Sequence, residues 1–309
     1  MHARTHGQAC RPERVQDFGG DSLLLFPTRI RLHQCLRLGR HRLEGLLTDS
    51  PGRPGLGPAR KRAVFVAAAG SLSDPLTARK NAIGFFDPSL ATSLRDRGYS
   101  TYMVGKWHLG FEGGTDYDCS QPLRGGPVDH GFDHYFGIPA SLDQPPYFYI
   151  RDNRCVAAPT DTTTGNRSEG GRWTDIQGAF WRSGDQAPNF EHDAVLPRFT
   201  SETLSYPSTH QEQRSEKPFF MYVALAAPHT PWLPADSLRG ASDAGLYGDF
   251  VRQVDGAVGR ILAALDRWGV RENTLVVFSS DNGPVWYQKD VEQFQHRSTT
   301  VHRGMKADA

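Results

Sequence analysis

Cysteine is scarce in this chain. Four cysteines among 309 residues (Cys10, Cys35, Cys119 and Cys155) show no C-x-x-C spacing. Neither a zinc knuckle nor a multi-bridge disulfide scaffold is therefore encoded. A Cys119–Cys155 bridge and free thiols both remain open. Charge of one sign is lacking too: 35 Lys and Arg against 34 Asp and Glu give a net charge of +1. That balance gives no pull towards nucleic acid or an anionic membrane. No apolar run approaches the roughly 20 residues of a spanning helix. Leu23-Leu24-Leu25-Phe26 is also too short for the h-region of a secretory signal, and none is read at the start. What remains is a globular chain long enough for one large α/β domain or two smaller ones.

Its text changes character along the way. Residues 1–75 are dominated by Arg, Leu, Gly and Pro, and Pro51-Gly52-Arg53-Pro54-Gly55-Leu56-Gly57-Pro58 reads as loop or disorder. Only Val64-Phe65-Val66-Ala67-Ala68-Ala69 suits a buried element there, helix or strand. Residues 76–309 are better patterned. Ser89 caps a short helix carrying Leu90 and Leu94, ended by Gly98. Tyr99–Val104 reads as a strand that Gly105 breaks. Residues 151–215 are polar and read as a surface excursion, with Asn166-Arg167-Ser168 having the form of a glycosylation sequon. Phe219–Leu225 and Leu275–Phe278 are apolar nearly throughout, as strands buried on both faces are. Between them Tyr247, Val251, Val254, Val258, Ile261, Leu262 and Leu265 recur at helical spacing. Strand, helix, strand with buried strands predicts an α/β fold, a largely parallel sheet covered by helices.

In such sheets ligands sit beyond the carboxyl ends of the strands. Chemistry-bearing residues follow three of the predicted strands at once: Lys106 and His108, then His229, then Asp281 and Asn282. In extended chain Lys106 and His108 would face the same side, presenting a fixed cation and a titratable imidazole to one anion. Asp281 and Asn282 offer adjacent hard oxygen donors, suited to Ca²⁺ or Mg²⁺ rather than Zn²⁺. Arg303-Gly304-Met305-Lys306 adds a second lysine.

Gly98 to Gly110, reading Gly98-Tyr99-Ser100-Thr101-Tyr102-Met103-Val104-Gly105-Lys106-Trp107-His108-Leu109-Gly110, resembles the second sulfatase signature. Pro228-His229-Thr230-Pro231-Trp232, Ser280-Asp281-Asn282-Gly283-Pro284 and Arg303–Lys306 are similar to later motifs of that family, in the same order. Gly131 to Ser141 is similar to the segment leading to its substrate-side serine. The group is the formylglycine-dependent sulfatases of the alkaline-phosphatase-like superfamily. The resemblance implies a sheet with helices on both faces and hydrolysis of sulfate esters, on a small molecule or a sulfated glycan, usually with Ca²⁺. It implies that Lys106 and Lys306 hold sulfate oxygens, with Ser141 a minor polar contact. His108 would serve the formylglycine hydroxyl, His229 would donate a proton to the leaving oxygen, and Asp281 and Asn282 would bind the metal. A formylglycine-generating enzyme would be a partner wherever the nucleophile motif is present. Family members are mostly periplasmic, secreted or lysosomal.

Two parts of the family pattern are not found. No Asp-Asp pair precedes Lys106. Cys10-Arg11-Pro12-Glu13-Arg14 satisfies Cys-x-Pro-x-Arg in letters, but only nine residues precede it, none an aspartate. Cys35 lacks the proline. The expectation is an incomplete sulfatase catalytic domain, cut at both ends, with impaired turnover and an out-of-frame start. The alternatives are a phosphoester or phosphonate-ester hydrolase of the same superfamily, or a non-catalytic remnant.

Overall fold

The structure, a computed structural model, describes residues 89–168, 177–212, 217–299 and 305–306, with the backbone of three earlier strands at 13–14, 23–25 and 62–69. Cys10, Cys35 and the Pro51–Pro58 run lie outside the described residues. One large sheet organises the chain. Its strands are β1 (Glu13–Arg14), β2 (Leu23–Leu25), β3 (Arg62–Ala69), β4 (Ser100–Lys106), β5 (His134–Ile138), β6 (Ile150–Arg151), β7 (Arg154–Cys155), β10 (Phe219–Pro228) and β11 (Thr274–Ser280). They lie in the order β1-β2-β11-β3-β10-β4-β5-β6-β7. The run from β2 to β5 is parallel throughout, and only β1, β6 and β7 at the margins pair antiparallel. Two further strands, β8 (Asp161–Thr163) and β9 (Gly184–Gln186), form a separate ribbon.

The central strand explains its own composition. β10 is paired along one edge with β3 and along the other with β4, and its side chains on both faces are covered, Phe219–Ala227 being buried save for Tyr222. The Val64–Ala69 run, readable as helix or strand, is the strand β3, seated between β10 and β11. β4 does not stop at its glycine. Gly105 stays in the ladder, opposite Ala224 on one side and Gly137 on the other, and the strand runs on to Lys106. A glycine is required there because its φ is +128° and an added Cβ would meet the Ala224 carbonyl oxygen at 1.9 Å.

Helix α1 (Leu90–Arg95) forms as its sequence foretells: the Ser89 hydroxyl accepts from the Thr92 N–H at 3.0 Å, and Leu90 and Leu94 are buried. Helix α3 (Gly245–Arg267) also appears where the periodicity put it, but its buried stripe is rotated. Val251 is 37% exposed, while Phe250, Val254, Ala257, Ile261, Ala264 and Leu265 face inward. The polar stretch 151–215 is not wholly a surface excursion. It holds helix α2 (Val195–Glu212), which packs on β10 and on α3. Its buried stripe includes two threonines, whose polarity hides the amphipathic pattern from a sequence reading. Both hydroxyls are neutralised within the helix, Thr200 donating to Leu196 O and Thr203 to Phe199 O, each at 2.8 Å.

Cys119 and Cys155 are joined in a disulfide with a Cα separation of 5.5 Å and a sequence separation of 36. Closing a loop of that length constrains the unfolded chain by about 3–4 kcal/mol. A reducing agent is therefore expected to lower the melting temperature markedly, with calorimetry before and after reduction as the check. An unchanged transition would show the bridge to be thermodynamically idle.

Candidate active site

Four parallel strands deliver their next residues to one edge of the sheet. β4 ends in Lys106, β5 is followed by the turn Ser141-Leu142-Asp143, β10 by His229, and β11 by Asp281 and Asn282. Lys306 joins them through its backbone, whose N–H donates to Pro284 O at 3.0 Å, just beyond Asn282. The site is thus assembled from distant stretches of chain by strand register rather than by any local motif.

His229 is its best-defined member. Its Nδ1 lies 2.9 Å from Thr230 O, and the Lys306 ammonium lies 3.3 Å from its Nε2. A carbonyl can only accept and an ammonium can only donate. The imidazole is therefore neutral, with its proton on Nδ1 and the Nε2 lone pair facing Lys306. Burial pushes His229 down to about 4, and Lys106 and Lys306 push the same way. Asp143 opposes them, its Oδ1 lying 3.9 Å from Nδ1.

Lys106 is buried at 6% exposure. Desolvation lowers its ammonium to about 8, helped by Lys306 and resisted by Asp281 and Asp143. Lys306 is lowered for the same leading reason, burial, with the same two carboxylates resisting. Two ammonium groups that repel one another while half stripped of water form a receptacle for an anion.

Of the residues singled out from sequence, Lys106, His229, Lys306 and Asp281 share one electrostatic cluster. His108 is buried on the adjoining turn, and the extended geometry that would align it with Lys106 does not hold. β4 ends at Lys106, and His108 takes a left-handed φ of +59° with its N–H donating to Pro139 O. Ser141 is buried two residues short of the carboxylate that actually meets the cluster. That carboxylate, Asp143, and its partner Arg182 are absent from the sequence reading. Ser-Leu-Asp just past a predicted strand was the available signal for Asp143. Nothing local marks Arg182, which arrives from the loop before β9. Cys10, the letter match to the nucleophile motif, lies outside the described residues.

The chemistry of the donors bears on a metal. Asp281 and Asn282 sit side by side at the end of β11, and the Asn282 Nδ2 donates to Gly283 O at 2.7 Å. This commits the amide nitrogen and leaves its oxygen as the ligating end, so the pair fits a hard divalent cation. Among the described residues no group of three or more His, Cys, Asp or Glu gathers to complete a shell. β3, whose carboxyl end lies beside β11, finishes in Ala67-Ala68-Ala69, residues with no donor side chain.

At the carboxyl end of a parallel sheet, one buried and one half-buried ammonium group and an imidazole lie beside hard oxygen donors, a charge arrangement suited to an anion. The chain belongs to the Sulfatase family, whose sequence model matches residues 63–308. That match begins inside β3, ahead of the change in composition near residue 76. Bacteroides thetaiotaomicron N-acetylgalactosamine-6-O-sulfatase is 29% identical over 253 residues, covering 72% of this chain and 48% of that protein. Human arylsulfatase G is 33% identical over 212 residues, covering 66% of this chain and 37% of that protein. A solved structure from work on the metabolism of multiple glycosaminoglycans by Bacteroides thetaiotaomicron superposes with a TM-score of 0.60 at 27% identity. It covers 73% of this chain and 52% of that one. The chain thus spans about half the length, or less, of the relatives it matches. The α/β, alkaline-phosphatase-like fold implied by the motifs is the fold this family has.

Proposed function

We propose that the site binds the sulfate group of a sulfate ester and supports its hydrolysis. One observation carries this reading: Lys106 and Lys306, 200 residues apart in the chain, are brought together around His229 at the carboxyl ends of the strands. The two ammonium groups hold the non-bridging oxygens and stabilise the charge that gathers on them as the ester bond breaks. His229 hands a proton from Nε2 to the leaving oxygen. In the free protein that nitrogen carries a lone pair, so the proton arrives once a bound anion has offset the two lysines. His108 serves the attacking hydroxyl. Asp281 and Asn282 would hold a divalent cation, Ca²⁺ by family usage, which when bound would polarise the ester's sulfur–oxygen bonds. The family's nucleophile is a formylglycine made from a cysteine by a dedicated enzyme.

The names of the relatives point to a sugar 6-sulfate, as in N-acetylgalactosamine 6-sulfate, as the substrate class. An oxidising compartment is supported by the Cys119–Cys155 bridge. The test is hydrolysis of an aryl sulfate and of N-acetylgalactosamine 6-sulfate with Ca²⁺, beside the matching phosphate esters. Faster turnover of the sulfates supports the reading. Turnover of the phosphates alone, or of neither, overturns it.

Affinity for inorganic sulfate carries its own pH signature. Lys106 loses its proton as pH rises through about 8, and a neutral amine no longer attracts the anion. Binding measured by calorimetry between about pH 6.5 and pH 9.5 is expected to weaken steadily, by roughly tenfold across the range. A flat profile would mean that Lys106 is not in contact with the anion.

A further inference from the structure

Among the described residues Asp143 is the one carboxylate beside His229, and the proposed reaction gives it no role. It is buried, at 6% exposure, on the turn that follows β5. Its Oδ2 accepts from Arg182 Nη1 at 2.6 Å, and the same nitrogen donates to the Asp143 carbonyl at 3.0 Å. The Arg182 backbone N–H adds a third link to that carbonyl at 3.3 Å, and the Tyr147 hydroxyl fixes the Arg182 carbonyl at 2.8 Å. Three links to Asp143, with a fourth holding Arg182, are more than a surface ion pair needs, since exposed pairs of this kind stabilise by at most about 1 kcal/mol. What they achieve is a carboxylate held still inside an anion pocket, with its other oxygen 3.9 Å from the His229 ring.

A fixed negative charge there is costly for anion binding. Asp143 opposes both Lys106 and Lys306 as attractors of sulfate, yet it favours a proton on His229. The groups facing His229 are Lys106, Lys306 and Asp143, with Arg182 behind the carboxylate. Lys106 and Lys306 discourage an imidazolium, whereas Asp143 is the charged group that encourages it, beside the Thr230 carbonyl.

We infer that Asp143 is a positioning residue for His229. Clamped by Arg182, it weakens the pocket's grip on sulfate in exchange for an imidazole that can carry a proton to the leaving oxygen. The inference rests on the sulfate-ester reading of the site. It makes binding and turnover move in opposite directions, which a merely structural residue would not do.

Asp143→Asn keeps the size and the acceptor oxygen while removing the charge. At about pH 6.5, where Lys106 is protonated, its dissociation constant for inorganic sulfate is expected to fall by about fivefold. Turnover of a sugar 6-sulfate, whose alkoxide leaves poorly without a proton, is expected to fall by about 100-fold. Turnover of an activated aryl sulfate, whose phenolate needs little help, is expected to change by less than about threefold. Arg182→Gln leaves Asp143 charged but unclamped, so sulfate binding is expected to weaken by about twofold to threefold. Those opposite signs keep the inference testable on binding alone if Asp143→Asn folds poorly. Sulfate binding that weakens in both variants overturns it, as does an equal loss on both sulfate esters. Failure of the parent chain to cleave any sulfate ester counts against the functional reading, and the two binding measurements then still judge Asp143.

Discussion

Lys106→Met is expected to weaken sulfate binding and any sulfate-ester turnover by about 100-fold or more, and yet to raise the stability of the chain. The loss of function follows from geometry. Lys106 is the cation at the end of β4, in one electrostatic cluster with Lys306 and His229, and a thioether offers no charge to an anion. The gain in stability follows from burial. Lys106 sits at 6% exposure with its ammonium lowered from 10.5 to about 8, chiefly by desolvation. Its proton is held more weakly in the folded chain than in the unfolded one. Stability therefore rises with pH between about 8 and 10.5, and the full penalty is felt below 8. Methionine removes that penalty at neutral pH, for a gain of about 1–2 kcal/mol after allowing for the lost attraction to Asp281 and Asp143. Denaturant titrations at neutral and alkaline pH check it. The two chains should differ at neutral pH and converge as Lys106 becomes neutral. A less stable Lys106→Met chain would mean that the buried charge is well compensated.

The second large effect is at a residue with no side chain. Gly105→Ala is expected to destabilise the chain by more than about 3 kcal/mol, enough to shift much of it to unfolded or aggregated material. The added Cβ would lie 1.9 Å from Ala224 O, backbone of the neighbouring strand, which cannot rotate aside as a flexible side chain could. Gly137, opposite on the other side, is equally confined, a Cβ there lying 1.8 Å from Gly105 O. The Tyr135 hydroxyl fills the space the two glycines leave, donating to Gly105 O or Ile138 O, each 3.0 Å away. Relieving the clash would spread β4 from β10 and so part Lys106 from His229. Urea unfolding and soluble yield measure the outcome, and a cost under about 1 kcal/mol would refute this account.

How far the sequence spoke for itself depends on where each signal is stored. Lys106 and His229 stand next to runs whose apolar text is forced by burial on both faces, and Asp281 and Asn282 follow a partly buried run that is still apolar from Leu275 to Phe278, so strand and site were legible together. Ser89 and its short helix were legible because a cap is local chemistry. Helix α2 was not, since two of its inward residues are threonines that satisfy themselves against the preceding turn. The continuation of β4 through Gly105 was hidden for a related reason. A glycine that ends a strand and one that allows two strands to approach closely are written with the same letter. Asp143 and Arg182 come from loops, and only the register of β5 and the path before β9 bring them to His229. The Cys119–Cys155 bridge likewise depended on the fold, which sets its two Cα atoms 5.5 Å apart.

Lys306 meets His229 from a segment that docks on the Pro284 carbonyl, and it comes later in the chain than any other residue of the site. A ribosome makes proteins from the amino end, so the sheet with Lys106 and His229 can form while Lys306 is still unmade or inside the exit tunnel. Until then the pocket has one ammonium instead of two. Capacity to hold a doubly charged anion is therefore acquired only after the scaffold that surrounds it.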